Sequence, residues 1–132
     1  MERASFDDLI ARKMKREEDR CATKEITVPS MGKSLLFERP SDADVIAFMD
    51  EISSAAGVSG VYAMYKNMIY QCCPALHAEN LREALGVVDP TDTVPKIMDP
   101  ADVMEVGEEL AAFLGLLKIG EGKKVEEEIK NS

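Results

Sequence analysis

The side chains that most often carry chemistry are few in this sequence. His77 is the single histidine, and the cysteines are Cys21, Cys72 and Cys73. A structural zinc site uses four Cys or His ligands, usually in closely spaced pairs, and no Cys-x-x-Cys occurs. We therefore expect no metal site. An odd number of cysteines predicts reduced thiols, and neighbouring helical positions face different directions, so at most one of Cys72 and Cys73 is expected to face the core.

Neither the glycine-rich segments nor the paired carboxylates match an enzyme motif. Gly32-Lys33-Ser34 resembles the end of a phosphate-binding loop but lacks the glycine that should precede it. The pairs Asp42/Asp44 and Glu108/Glu109 fall on predicted helix starts and polar faces, whereas general acid catalysis needs a desolvated carboxyl. We expect a non-catalytic protein without a cofactor.

Composition indicates one soluble globular domain. The chain has 132 residues, 45% apolar and 31% charged, and its apolar runs are far shorter than the roughly 20 residues of a membrane-spanning helix. Its acidic, charged start is unlike a secretory signal, which favours the cytoplasm. The net charge is −9, and residues 41–132 hold seven Lys/Arg against seventeen Asp/Glu. So acidic a body disfavours nucleic acid and anionic membranes as partners.

Residues 1–24 are predicted to form a charged amphipathic N-terminal arm. Ser5 and Asp8 have the spacing of a helix cap for a helix over residues 5–20. The helix carries one narrow apolar stripe, made of Phe6, Leu9, Ile10 and Met14. The rest is of mixed charge, so the arm is expected to dock lightly or to fold only with a partner.

Residues 25–117 are predicted to form a single domain in which a β-hairpin packs on helices. The hairpin joins strands 25–29 and 34–38 through Gly32. Apolar periodicity and capping residues predict helices over 41–56, 60–73, 77–85 and 100–117. A further short helix is predicted after Asp89-Pro90, and because of Pro95 it is expected to begin at Thr93. Ile46 is among the core positions expected of the first, and the helix over 60–73 is expected to be the most buried. Residues 118–132 are predicted to be a polar C-terminal tail. The expected fold is mainly α, a compact multi-helix domain with a small N-terminal hairpin and charged, flexible termini.

The eight methionines favour either core packing or an adaptable binding surface. We expect a partner to bind either the N-terminal arm or the apolar side of the helix over 100–117. The residues predicted for that second surface are Met104, Leu110, Phe113, Leu114 and Leu117.

The order of several short segments is familiar. Val28-Pro29-Ser30-Met31-Gly32-Lys33 follows the charged arm, and a tyrosine-containing helix runs from Tyr65 to Leu76. Asp89-Pro90-Thr91-Asp92-Thr93-Val94, Pro100-Ala101-Asp102-Val103-Met104 and Gly107-Glu108-Glu109-Leu110 come next. Together they resemble the XkdN-like tail assembly chaperones of bacterial prophages, over roughly residues 1–117. Pro95 and the sequence after Leu114 depart from that pattern.

The resemblance implies a helical, non-catalytic protein of the bacterial host cytoplasm. Such chaperones are thought to hold the tape-measure protein soluble and to bring tail-tube subunits to it. No individual binding residues can be carried over, and a homo-oligomer is possible. Two alternatives remain open, a structural tail adaptor retained in the virion and an acidic protein that mimics DNA.

The periodicity of the helix over 60–73 places Ile69 in the core. Replacing Ile69 by alanine should lower the free energy of unfolding by about 2–5 kcal/mol, because it leaves a cavity. Urea denaturation of the two proteins measures this difference. A loss below about 0.5 kcal/mol would mean that the core is elsewhere.

Overall fold

The computed structural model of the protein describes residues 2–116. Within that range the chain is mainly helical with one small antiparallel hairpin, as predicted. Leu117 and the predicted tail 118–132 lie outside the described residues. In chain order the elements are α1 (Phe6–Arg20), β1 (Thr23–Val28), β2 (Lys33–Glu38), α2 (Asp42–Ser54), α3 (Gly57–Cys72), a 3-10 turn (Pro74–His77), α4 (Glu79–Leu85), a second 3-10 turn (Pro90–Asp92), α5 (Thr93–Ile97) and α6 (Pro100–Phe113).

The hairpin lies where it was predicted but begins earlier, at Thr23, which pairs with Glu38. The end of the predicted arm therefore belongs to the sheet. Gly32 has φ +64° and closes the turn, in which its own amide donates to the Val28 carbonyl at 3.0 Å. One face of the hairpin is buried against the helices, through Ile26, Val28 and Phe37.

Helix α2 begins as predicted at Ser41, whose hydroxyl accepts a hydrogen bond from the Asp44 amide at 3.2 Å. It ends at Ser54, and Gly57, which was expected to stop it, instead begins α3. Ile46 was predicted to face the core but is 58% exposed. The buried residues are Val45 and Phe48, three apart on one face, and Ile46 is turned about 100° away from Val45 around the helix.

Helices α3 and α6 pack against each other at the centre of the molecule. Six of the 14 residues of α6 are buried, as are six of the 14 over 60–73, so α6 is as deeply buried as the helix expected to be the most buried. The backbones come close because Gly107 of α6 lies against Tyr65 of α3. A Cβ atom placed on Gly107 would lie 2.3 Å from Cγ of Tyr65.

Helix α6 ends at Phe113, four residues before its predicted end. Gly115 takes φ +81°, and the amide of Leu116 donates to the Ala111 carbonyl at 2.8 Å. These features define a Schellman cap, which reverses the chain and satisfies the last carbonyls of the helix. Leu116 is thereby returned to the core, where it is fully buried.

Both Cys72 and Cys73 are buried, which corrects the expectation that only one would be. Helix α3 ends at Cys72, and Cys73 is extended (φ −112°, ψ 99°), so helical spacing no longer separates the two side chains. Burial raises the pKa of Cys72 to about 12 and raises that of Cys73 as well. The two thiols are therefore protonated and unreactive at neutral pH.

Asp102 joins the hairpin turn to the start of α6. As predicted, it forms a capping box with Asp99, in which the Asp102 amide donates to Asp99 Oδ1 at 2.9 Å. The sequence did not predict its second role, in which its carboxylate accepts hydrogen bonds from the amide (3.1 Å) and the hydroxyl of Ser30. The bond from the Ser30 hydroxyl is the main reason why the pKa of Asp102 is lowered.

The contact between Gly107 and Tyr65 generates a test of the packing. Gly107→Ala should lower the free energy of unfolding by about 1–3 kcal/mol, because the new methyl group overlaps the buried ring of Tyr65. Gly60→Ala in α3 is the matched control, since its Cβ would lie 3.4 Å from the nearest atom of Ala55. The control should keep or raise stability, because alanine favours helix. Equal stability of wild type and Gly107→Ala in chemical denaturation would contradict the packing described.

Candidate protein-binding surface

Helix α1 carries a row of large apolar side chains that the rest of the structure leaves uncovered. Phe6 is 76% exposed, Leu9 60%, Ile10 43% and Met14 63%. Their spacing places all four on one side of the helix. Helix α1 has no buried residue, so this row, which we call the α1 stripe, is available to another molecule.

Local interactions hold α1 as a helix without burial. The Ser5 hydroxyl accepts from the Asp8 amide at 3.1 Å, and the Asp8 carboxylate accepts from the Ser5 amide at 2.8 Å. The hydrogen bond from the Ser5 amide is the main reason why the pKa of Asp8 is lowered, and the Ser5 side chain acts in the same direction. Ion pairs four residues apart follow the exposed surface, Lys13 with Glu17 and Lys15 with Asp19. Isolated helices of this length are marginal in water, so capping and ion pairing matter here.

One carboxylate fixes α1 against the rest of the molecule. Asp42, at the start of α2, accepts from Arg16 at 3.0 Å and from Arg20 at 3.4 Å. The hydrogen bond from Arg16 is the main reason why the pKa of Asp42 is lowered, and the charges of Arg20 and Arg39 act in the same direction. The side chains of Arg16, Arg20 and Asp42, which form these two ion pairs, are largely exposed. The attachment of α1 is therefore weak and sensitive to salt.

A cleft of about 550 Å³ separates α1 from the body of the protein. Four arginines and one acidic residue, Asp19, line it, and we call it the arginine cleft; the arginines are Arg12, Arg16 and Arg20 from α1 and Arg39 from the end of the hairpin. Arg39 also donates to the carbonyl of Phe113 at 3.3 Å, and Phe113 forms part of the cleft wall. Positive charge is thus concentrated beside the α1 stripe of a chain whose net charge is −9.

The structure places the residues predicted on α6 mostly inside the molecule. Leu110 is fully buried and Leu114 is 2% exposed, so a partner cannot reach either without opening the core. Met104 and Phe113 are half-buried at its edge, and Leu117 lies outside the described residues. The outer side of α6 is acidic instead, with Glu105, Glu108 and Glu109 around a shallow cleft.

The periodicity of α6 was detected correctly, but periodicity alone does not say whether an apolar face meets the core or a partner. The structure assigns the face of α6 to the core and leaves the α1 stripe exposed. From the sequence alone, residues 12–20 were interpreted as a mixed-charge run, and the row of arginines along one side of the helix was not predicted. The signal was present, because Arg12, Arg16 and Arg20 are four residues apart and so lie along one side of the helix. The contribution of Arg39 had no local signal.

The other residues considered for chemistry have structural contacts. His77 lies against the ring of Tyr70, with centroids 4.7 Å apart, and its Nε2 is 2.6 Å from the Tyr70 carbonyl oxygen. Among residues 2–116, no group of three or more His, Cys, Asp or Glu side chains is arranged to hold a metal ion. In the same range no helix has the length and apolar character needed to span a bilayer.

Comparison of the chain with protein-family models, curated proteins and solved structures gives no match. A function is therefore inferred from the exposed α1 stripe and the arginine cleft.

The bridge at Asp42 predicts how α1 can be released. Asp42→Asn should increase the motion of α1 relative to the body, because a neutral amide no longer attracts Arg16 and Arg20. Backbone ¹⁵N relaxation should show lower order parameters in α1 and unchanged ones in α3 and α6. Asp44→Asn, two positions along and without a hydrogen bond to an arginine, is the matched control.

Acid should reproduce this effect. Because the pKa of Asp42 is lowered in the folded protein, the attachment is complete above the ordinary aspartate value of about 3.9 and is lost as the pH falls through the lowered value. Order parameters in α1 that are the same in Asp42→Asn and wild type would show that another contact holds the helix.

Proposed function

We propose that this protein is a phage tail assembly chaperone that holds a helical segment of the tape-measure protein on the α1 stripe, in the cytoplasm of the bacterial host. It acts by binding, without catalysis or a cofactor, and it recruits tail-tube subunits to the bound segment. The observation that carries the proposal is the exposure of Phe6, Leu9, Ile10 and Met14 on a folded helix. The resemblance of residues 1–117 to XkdN-like chaperones supplies the identity of the partner.

The chemistry of the surface suits a helical client. A long tape-measure helix exposes apolar side chains at intervals of three and four residues, and a second helix with the same spacing can cover them. Leucine, isoleucine, phenylalanine and methionine pack against many apolar shapes, and methionine in particular adapts to different neighbours. The α1 stripe can therefore accept several segments of one client.

The size of the surface suits a partner that must later be released. Four large apolar side chains contribute roughly 6–12 kcal/mol when fully buried, and association costs about 4–15 kcal/mol in lost freedom. The net free energy of binding is therefore small, so the affinity is modest and the partner dissociates readily. A chaperone that leaves before the tail is complete needs this behaviour.

Removing the α1 stripe tests the proposal. The double substitution Leu9→Gln and Ile10→Gln should weaken binding to the tape-measure protein by at least about tenfold, because it removes the centre of the apolar surface. Thermal stability should hardly change, since neither residue is buried. The measurement is the fraction of the tape-measure protein of the same phage that stays soluble when it is co-expressed with this chain.

The matched control is Val58→Gln with Val88→Gln, two apolar residues that are exposed on other parts of the chain (75% and 96%). The control should keep the tape-measure protein soluble. A tape-measure protein that is equally soluble and monodisperse without this chain would refute the chaperone function. A fixed copy number of this chain in purified virions would favour the structural adaptor instead.

A further inference from the structure

The arginine row and the apolar stripe of α1 form one continuous surface. Leu9 of the stripe lines a second cleft, of about 410 Å³, together with Arg12, Arg16 and Arg20. These three arginines also line the arginine cleft on the side of the body. They extend over about 12 Å along the helix, at 1.5 Å per residue. A helix seated on the stripe would therefore carry one of its flanks along a row of guanidinium groups.

Asp42 shows how a carboxylate is received there. Its Oδ2 atom accepts from both Arg16 (3.0 Å) and Arg20 (3.4 Å). Arg12, at the outer end of the row, makes no hydrogen bond or ion pair with any residue between 2 and 116, and within that range the guanidinium of Arg39 donates to one backbone carbonyl, that of Phe113. Guanidinium groups bind carboxylates in paired geometry. The row thus has capacity for carboxylates beyond Asp42.

We propose that the α1 stripe and the arginine cleft together select an amphipathic helix with acidic side chains along one flank. This inference rests on the proposed function and specifies the tape-measure segment that is bound. The apolar side chains of that segment cover the stripe, and carboxylates four residues apart along its flank meet Arg12 and the free edges of Arg16, Arg20 and Arg39. Charge then fixes the direction in which the segment lies, and apolar contact supplies most of the affinity.

Charge also disfavours a second copy of this chain as the occupant. In an antiparallel pair of identical helices like flanks meet, so two α1 helices would bring one arginine row against the other. A parallel pair would bring together two chains that each have a net charge of −9. A partner helix with an acidic flank avoids the repulsion between arginine rows and places its carboxylates beside them.

Two synthetic helical peptides test the selection. They share one apolar stripe and differ in the residues on one flank, which are glutamates in the first peptide and lysines in the second. Fluorescence anisotropy at low salt should show that the full-length protein binds the glutamate peptide about tenfold more tightly. The difference should shrink at 0.5 M NaCl, because salt screens exposed charges.

Arg12→Glu identifies the surface, because Arg12 has no bond to a residue between 2 and 116 that its loss would break. This variant should lose most of the preference for glutamate. Lys96→Glu, which makes the same change in charge at an exposed position of α5, should keep it. Thermal melting of both variants checks that each is folded.

Several results would overturn the proposal. Equal affinity for the two peptides, abolished by the Leu9→Gln and Ile10→Gln pair, would disprove the charge selection and leave the stripe as a docking site. No binding of either peptide would count against both. If a peptide of residues 118–132, which contains Glu126 to Glu128, binds as tightly as the glutamate peptide, the cleft would be assigned to this chain's own C-terminal segment. Dimerisation that the stripe variant abolishes would assign it to a second copy, and competition by duplex DNA at equal concentration would assign it to nucleic acid.

Discussion

The close approach of α3 and α6 at Gly107 determines the shape of this molecule. With no side chain at Gly107, the Tyr65 ring lies directly on the backbone of α6, at a distance that any Cβ atom would prevent. The two helices contribute Ile69, Val103 and Leu110 to the same buried core. The remaining elements surround this pair, so a shift of α6 would move the support of the hairpin as well as its own contacts.

Attachment to that central pair grows weaker toward the N-terminus. The hairpin buries Ile26, Val28 and Phe37, and its turn is fixed to α6 through hydrogen bonds between Ser30 and the buried Asp102. Helix α1 buries nothing and is held to the body by largely exposed ion pairs at Asp42. The surface proposed to bind a partner is therefore the least constrained part of the described chain, as is common for binding elements.

Elements governed by local chemistry could be predicted from the sequence. Ser5, Ser41 and Asp99 cap helices as expected, and Gly32 takes positive φ in the hairpin turn where it was predicted. What depends on long-range packing could not be predicted. The apolar face of α6 has the same periodicity whether it meets the core or a partner, and only the folded chain shows that Leu110 and Leu114 are inside. The hydrogen bonds of Asp102 with Ser30, and the position of Arg39 in the same cleft as the arginines of α1, join segments far apart in sequence and leave no local pattern.

The pairing of hairpin and α6 has a consequence for synthesis on the ribosome. Ser30 and Asp102 are separated by 72 positions, so the hydrogen bonds between the hairpin turn and α6 cannot form until α6 has been translated. Apart from the ion pairs to Asp42, the hydrogen bonds and ion pairs of α1 join residues that are close in sequence. Helix α1 can therefore form before α6 has been translated. The helix with the exposed apolar row can thus form first, and the packing of the body is completed after α6 has emerged.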